Sequence, residues 1–78
     1  MDLSAQITIK DITLTLSMDD IEALKQLLDD VYGIVGQEAS EIISTTMVAS
    51  HGPFVKNKIE RIFTTSRATV VKIVVYET

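Results

Sequence analysis

The stretch Ile12–Tyr32, ITLTLSMDDIEALKQLLDDVY, decides the fold of this chain. Ile12, Leu14 and Leu16 alternate with Thr13 and Thr15, the period-2 pattern of a half-buried strand. Ser17 breaks the alternation and suits a helix N-cap, because its hydroxyl can accept from an unpaired N–H of the first turn. Asp20, three residues on, can reach back as a short capping-box acid. Ile21, Leu24, Leu27, Leu28 and Val31 recur at helical spacing, and Gly33 follows as a residue able to take positive φ. A strand running into a helix over residues 18–32 is therefore expected.

Working outward toward the N-terminus, Ala5, Ile7 and Ile9 alternate with Gln6 and Thr8. Their odd parity becomes even at Ile12, so the apolar face switches across Lys10-Asp11. A two-residue hairpin turn would pair Ile9 with Ile12 and Ile7 with Leu14. A β-bulge in one long strand would shift the register equally well. Lys-Asp supplies neither Gly nor Asn for positive φ, which favours the bulged strand over the hairpin.

Toward the C-terminus, Tyr32–Gln37 reads as a loop, and Gln37–Ser50 as a second, weaker helix. The run Ser44-Thr45-Thr46 has low helix propensity and is expected on its exposed side. His51-Gly52-Pro53 punctuates the chain. Val55, Ile59, Ile62 and Phe63 at i, i+4, i+7 and i+8 predict a third helix over Pro53–Thr64. After a turn at Thr65-Ser66-Arg67, Ala68–Tyr76 is the strongest strand. It is apolar on both faces apart from Lys72, as a strand covered on both sides would be. The expected architecture is one α+β domain over residues 1–78. It has an N-terminal strand (bulged, or a hairpin), two to three helices, and a C-terminal strand pairing with the first in a small antiparallel sheet.

Length and composition bound the function. Seventy-eight residues bury a marginal core, and no cysteine is present to supplement it with a disulfide. The hydrophobic content of 46% is high for so small a chain, which points to apolar surface buried between subunits. Val70, Val74 and Tyr76, on the second face of the last strand, are the expected oligomer interface. No run approaches the length of a membrane span and the start lacks a secretion-signal pattern, so the expected compartment is the cytoplasm.

The net charge of −4 is uneven. Residues 1–50 carry nine acids against two lysines, net −7, and residues 51–78 carry five bases against two acids, net +3. Asp19, Asp20, Glu22, Asp29 and Asp30 line the first helix as a candidate partner-binding surface. Lys56, Lys58, Arg61 and Arg67 form a candidate basic surface. His51, the one histidine, has no nucleophile or acid at a spacing that implies catalysis. The pairs Asp19-Asp20 and Asp29-Asp30 stand two to three helical turns apart, too far for one cation site. No catalytic residue, metal or cofactor is expected. The expectation is a non-enzymatic protein that self-associates as a homodimer or larger and binds another protein, as small accessory or inhibitor proteins of phages and mobile elements do.

A second function stays open. ITLTLSMDDIEALKQLLDDVYG followed by Ser40-Glu41-Ile42-Ile43 resembles the start of a ribbon-helix-helix DNA-binding regulator. The resemblance implies that strand 12–16 pairs with its own copy across a dimer axis. It implies too that helices 18–32 and 38–50 follow, and that Asp11, Thr13 and Thr15 face the DNA. The strand lacks Arg, Lys or Asn readers, and its half of the chain is acidic, the wrong sign for phosphate contact.

Overall fold

The computed structural model describes residues 3–18, 20–50 and 58–77. The elements are β1 (Leu3–Ile9), β2 (Ile12–Ser17), α1 (Ile21–Tyr32), α2 (Gly36–Ser50), β3 (Lys58–Thr64) and β4 (Val70–Glu77). The four strands form one antiparallel sheet in the order β2-β1-β4-β3. The α+β class holds, with the C-terminal strand beside the first. Two helices pack over one sheet face.

That inner face is the core. Ala5, Ile7 and Ile9 from β1 and Val71, Ile73 and Val75 from β4 are essentially sealed from solvent. The register sets Ala5 beside Val75, Ile7 beside Ile73 and Ile9 beside Val71. Leu24 and Leu28 of α1 and Ala39, Ile42 and Ala49 of α2 cover them. Each fully buried aliphatic side chain of this size stabilises the fold by about 1.5–3 kcal/mol relative to exposure.

At Lys10-Asp11 the chain makes the two-residue hairpin and not a bulge, with the register Ile9↔Ile12, Ile7↔Leu14 and Ala5↔Leu16. Lys10 takes φ +59, while Asp11 is not in the positive-φ region. Positive φ at the first central residue alone is the pattern of a II′ turn, where Gly is the usual occupant. The register gain outweighs the local strain, because it puts three aliphatic pairs on the core side. Lys10→Gly is expected to raise stability by about 1 kcal/mol, since an L-residue in left-handed backbone costs roughly that. An unfolding midpoint at or below that of the parent would remove the strain from this turn.

The start of α1 also differs from expectation. Ser17 is the last residue of β2, and Asp20 is the N-cap, its carboxylate accepting from the Ala23 N–H at 3.0 Å. The helix thus begins one turn later than residue 18. Asp20→Ala should cost about 1 kcal/mol, read as a lower denaturant midpoint; an unchanged midpoint would leave the cap without energetic weight. At the other end Gly33 takes φ +68, and the N–H groups of Gly33 and Ile34 reach back to the Asp29 and Leu28 carbonyls. The Tyr32 hydroxyl then donates to the Ile12 carbonyl at 2.9 Å and, more weakly, to the Ile7 carbonyl at 3.3 Å. This pins α1 onto the β1–β2 hairpin, and burial pushes the phenol above its usual pKa.

Two further expectations are corrected. Thr46 is fully buried, with its hydroxyl donating to the Ile42 carbonyl at 2.7 Å, and Thr45 is half-buried; of the run 44–46 only Ser44 is exposed. Back-bonding satisfies the hydroxyl and lets Thr46 pack as a small aliphatic group. The expected helix over Pro53–Thr64 is, from Lys58 onward, strand β3, paired along its length with β4 from Lys58↔Tyr76 to Thr64↔Val70. Residues 53–57 lie outside the described residues. Pairing with β4 decides the matter: Ile59 and Phe63 fall on the core side opposite Val75 and Val71, which an amphipathic helix would not bring into register.

Candidate interaction surfaces

Three surfaces carry the sequence-derived candidates: the outer face of the sheet, the exposed side of α1, and the β3–β4 hairpin. On the outer face strand parity places Ser4, Gln6 and Thr8 on β1 and Thr13 and Thr15 on β2. The Thr8 and Thr13 hydroxyls meet at 2.9 Å. Across the other half of the same face lie Ile62 of β3 and Val70, Val74 and Tyr76 of β4. Ile62 sits opposite Lys72, so Val70 and Val74 are its diagonal neighbours. Ile62 is 69% and Val70 58% exposed, whereas Val74 is already covered and Tyr76 half-buried. Of the three expected interface residues, Val70 is the open one. Ile62, assigned by its spacing to a helix core, is the residue that sequence reasoning missed here. Its signal was its even parity with Glu60 and Thr64, legible only once 58–64 is known to be a strand.

The acids of α1 do not make one continuous face. Asp20 is occupied as the cap. Glu22 and Asp29 share a flank with Lys25 and Gln26, where they line a shallow recess floored by Ile34 and Ala39 and rimmed by Val35 and Gly36. Asp30 lies to the other side, with Gln26 Nε2 donating to it at 3.5 Å. Asp19 lies outside the described residues. Lys25 therefore interrupts the acidic stripe.

The basic residues are separated by the same strand parity. Lys58 is on the outer face and pairs with Glu60 at 3.4 Å. Arg61 is on the helix side of the edge strand, exposed, donating to the Glu60 carbonyl at 3.2 Å. Arg67 sits in the turn between β3 and β4. Lys56 and His51 lie outside the described residues. No single basic stripe exists among the described residues, because Lys58 and Arg61 would share a face only on a helix.

The β3–β4 turn is held by α2. The Thr65 and Thr69 hydroxyls donate to one oxygen of Glu38 at 2.6 and 2.7 Å. One residue on, the Ser66 hydroxyl and N–H donate to Glu41. Both carboxylates come from the first two turns of α2. The Thr65 bond above all, and then the Thr69 bond, hold the Glu38 carboxyl below its usual pKa; burial opposes them, and the nearby charges of Arg67 and Lys10 add smaller lowering effects. Ala68 takes φ +65 directly after the Thr65–Ala68 turn, the left-handed position of a three-residue hairpin loop. These bonds fasten the β3–β4 turn to the start of α2.

Among the described residues no three His, Cys, Asp or Glu side chains are grouped to hold a metal ion. Among them, too, no helix is long and apolar enough to cross a membrane. Strand β2, which a ribbon-helix-helix arrangement would pair with its own copy, is paired along one edge with β1 of the same chain. Compared with known proteins, the chain matches no family model, no curated protein and no solved structure.

Proposed function

We propose that this chain is a small non-enzymatic binding protein that self-associates and presents its surface to another protein. The observation that carries the proposal is the outer face of β3–β4. Helices cover one side of the sheet, and on the other Ile62 and Val70 stand in solvent around Val74, beside the half-buried Tyr76. Ile62 and Val70 are diagonal neighbours, so their exposed apolar surface is contiguous, and contiguous exposed apolar surface is the kind that marks contact sites. Lys72, Lys58 and Glu60 rim the patch, a mixed-sign border that a second copy can match. The flank bearing Glu22 and Asp29, with exposed Val35 beside it, is then left for a partner of opposite charge.

Sedimentation velocity over a concentration series tests the proposal, with Val70→Lys and Ile62→Lys as variants. Both side chains are exposed in the single chain, so the variants should keep the parent's fold, read by circular dichroism. The expected result is a dimer or larger for the parent and a smaller species for both variants. A parent that stays monomeric at the highest soluble concentration, or an oligomer that both variants leave intact, would overturn it.

A further inference from the structure

The two edges of the sheet are built differently. Strand β3 carries Lys58, Glu60 and Arg61 along its free edge, the charged guard that keeps edge strands from pairing. Strand β2 carries none: from Ile12 to Ser17 it reads ITLTLS, with no charge, no proline and no bulge. Its core-side residues are also incompletely covered. Ile12 is 44% exposed and Leu14 and Leu16 are half-buried, whereas their partners on β1 are sealed.

The helix above continues this strip. Glu22, Lys25 and Asp29 line the recess toward α2. Helical spacing then turns Leu27 and Val31 to the opposite flank, over β2. Val31 is 38% exposed and lines a shallow hollow with Ile12 and Tyr32. An apolar ledge therefore runs beside an unguarded strand edge.

We infer that the β2 edge pairs antiparallel with the β2 edge of a second copy, joining two four-stranded sheets into one of eight. This goes beyond the proposed self-association by adding a contact on a different surface. The sequence of β2 is self-complementary about Leu14. With Leu14 on the two-fold axis, Ile12 faces Leu16 and Thr13 faces Thr15 of the copy, aliphatic to aliphatic and hydroxyl to hydroxyl. Asp11 faces Ser17, so no like charges oppose, which matters for a chain of net charge −4.

The backbone has the matching parity. Ile9↔Ile12 closes the two-residue turn, so Ile12, Leu14 and Leu16 direct their N–H and C=O groups to β1. Thr13 and Thr15 direct theirs outward. The close approach of the Thr8 and Thr13 hydroxyls fits a pair of the narrower, non-hydrogen-bonded kind. In the proposed register the outward groups of Thr13 meet those of Thr15, and Leu14 faces its own copy as a non-hydrogen-bonded pair.

The absence of native cysteine makes the test clean. A non-hydrogen-bonded antiparallel pair has Cα atoms about 4.5 Å apart, within disulfide reach. Leu14→Cys under mild oxidation should run mostly as a covalent dimer on a non-reducing gel. Thr15→Cys, which faces Thr13 and not itself, should stay monomeric on the same gel. In the Val70→Lys background, which removes the outer-face contact, Thr15→Pro takes away an outward N–H without touching the β1 ladder, and should weaken dimerisation at least tenfold while circular dichroism shows the folded chain. Equal cross-linking of both cysteine variants would mean random collision and overturn the inference, as would no cross-linking of Leu14→Cys. Combining Leu14→Cys with Val70→Lys separates the two contacts. A cross-link that survives Val70→Lys upholds the edge contact whatever becomes of the outer face. A Val70-sensitive oligomer without the cross-link removes the edge contact alone.

Discussion

Ile73→Ala is expected to cost roughly 2–5 kcal/mol, the range for deleting a buried aliphatic group that leaves a cavity. Ile73 is fully buried at the centre of β4, beside Ile7 of β1 and opposite Arg61 of β3. Its neighbours are strands and helices fixed by other contacts, so the space cannot collapse freely. A domain of this length has a total stability of about 4–12 kcal/mol, so the variant should lose a large share of it. Val70→Ala, on the same strand but 58% exposed on the other face, should change stability by less than about 0.5 kcal/mol. Urea unfolding measures both. Equal midpoints for the two variants would undo the assignment of inner and outer faces.

Thr65→Val is expected to have the next largest effect, about 2–3 kcal/mol. The side chain is 5% exposed, donates to Glu38, and accepts from the backbone N–H groups of Arg67 and Thr69 at 3.3 and 3.2 Å. Valine fills the same volume but leaves the part-buried Arg67 and Thr69 N–H groups without their acceptor, and unmade bonds at buried sites carry a desolvation penalty. The effect should depend on pH. Because Glu38 is held below its usual pKa in the folded state, its contribution is complete above the ordinary carboxylate range. It fades as pH falls through the lowered value. The stability gap between Thr65→Val and the parent should therefore narrow from pH 7 to pH 3. A gap of constant size would show that the Thr65–Glu38 bond contributes nothing to stability.

The central elements were legible because burial there is uniform along each strand. Ala5, Ile7, Ile9 and Val71, Ile73, Val75 keep strict parity, and α1 keeps its stripe down to Leu24 and Leu28. The errors cluster at edges and turns, where the pattern is diluted. In β3 the core-side residues are Ile59, Arg61 and Phe63, and the exposed outer face holds Ile62. An exposed arginine on the core-side parity and an isoleucine on the outer face turned an alternation into an apparent helical stripe. Ser17 looked like a cap by residue type, but β2 extends through it and the helix finds Asp20 instead. At Lys10 a local preference lost to register, which no single residue reveals. The candidate surfaces follow the same rule: Val70 lies on the open outer face, and among the described residues Lys58 and Arg61 fall on opposite faces of β3, where the basic stripe presupposed a helix.

Strand order has a kinetic consequence. The hairpins β1–β2 and β3–β4 each close over a few residues, but β1 meets β4 through pairs as distant as Leu3↔Glu77. Loop entropy must be spent across nearly the whole chain before that seam gains anything. The sheet's best-buried contacts are therefore also its most expensive to nucleate, and distant pairs such as Ile7 with Ile73 are expected to make folding slower than local hairpin pairing alone would.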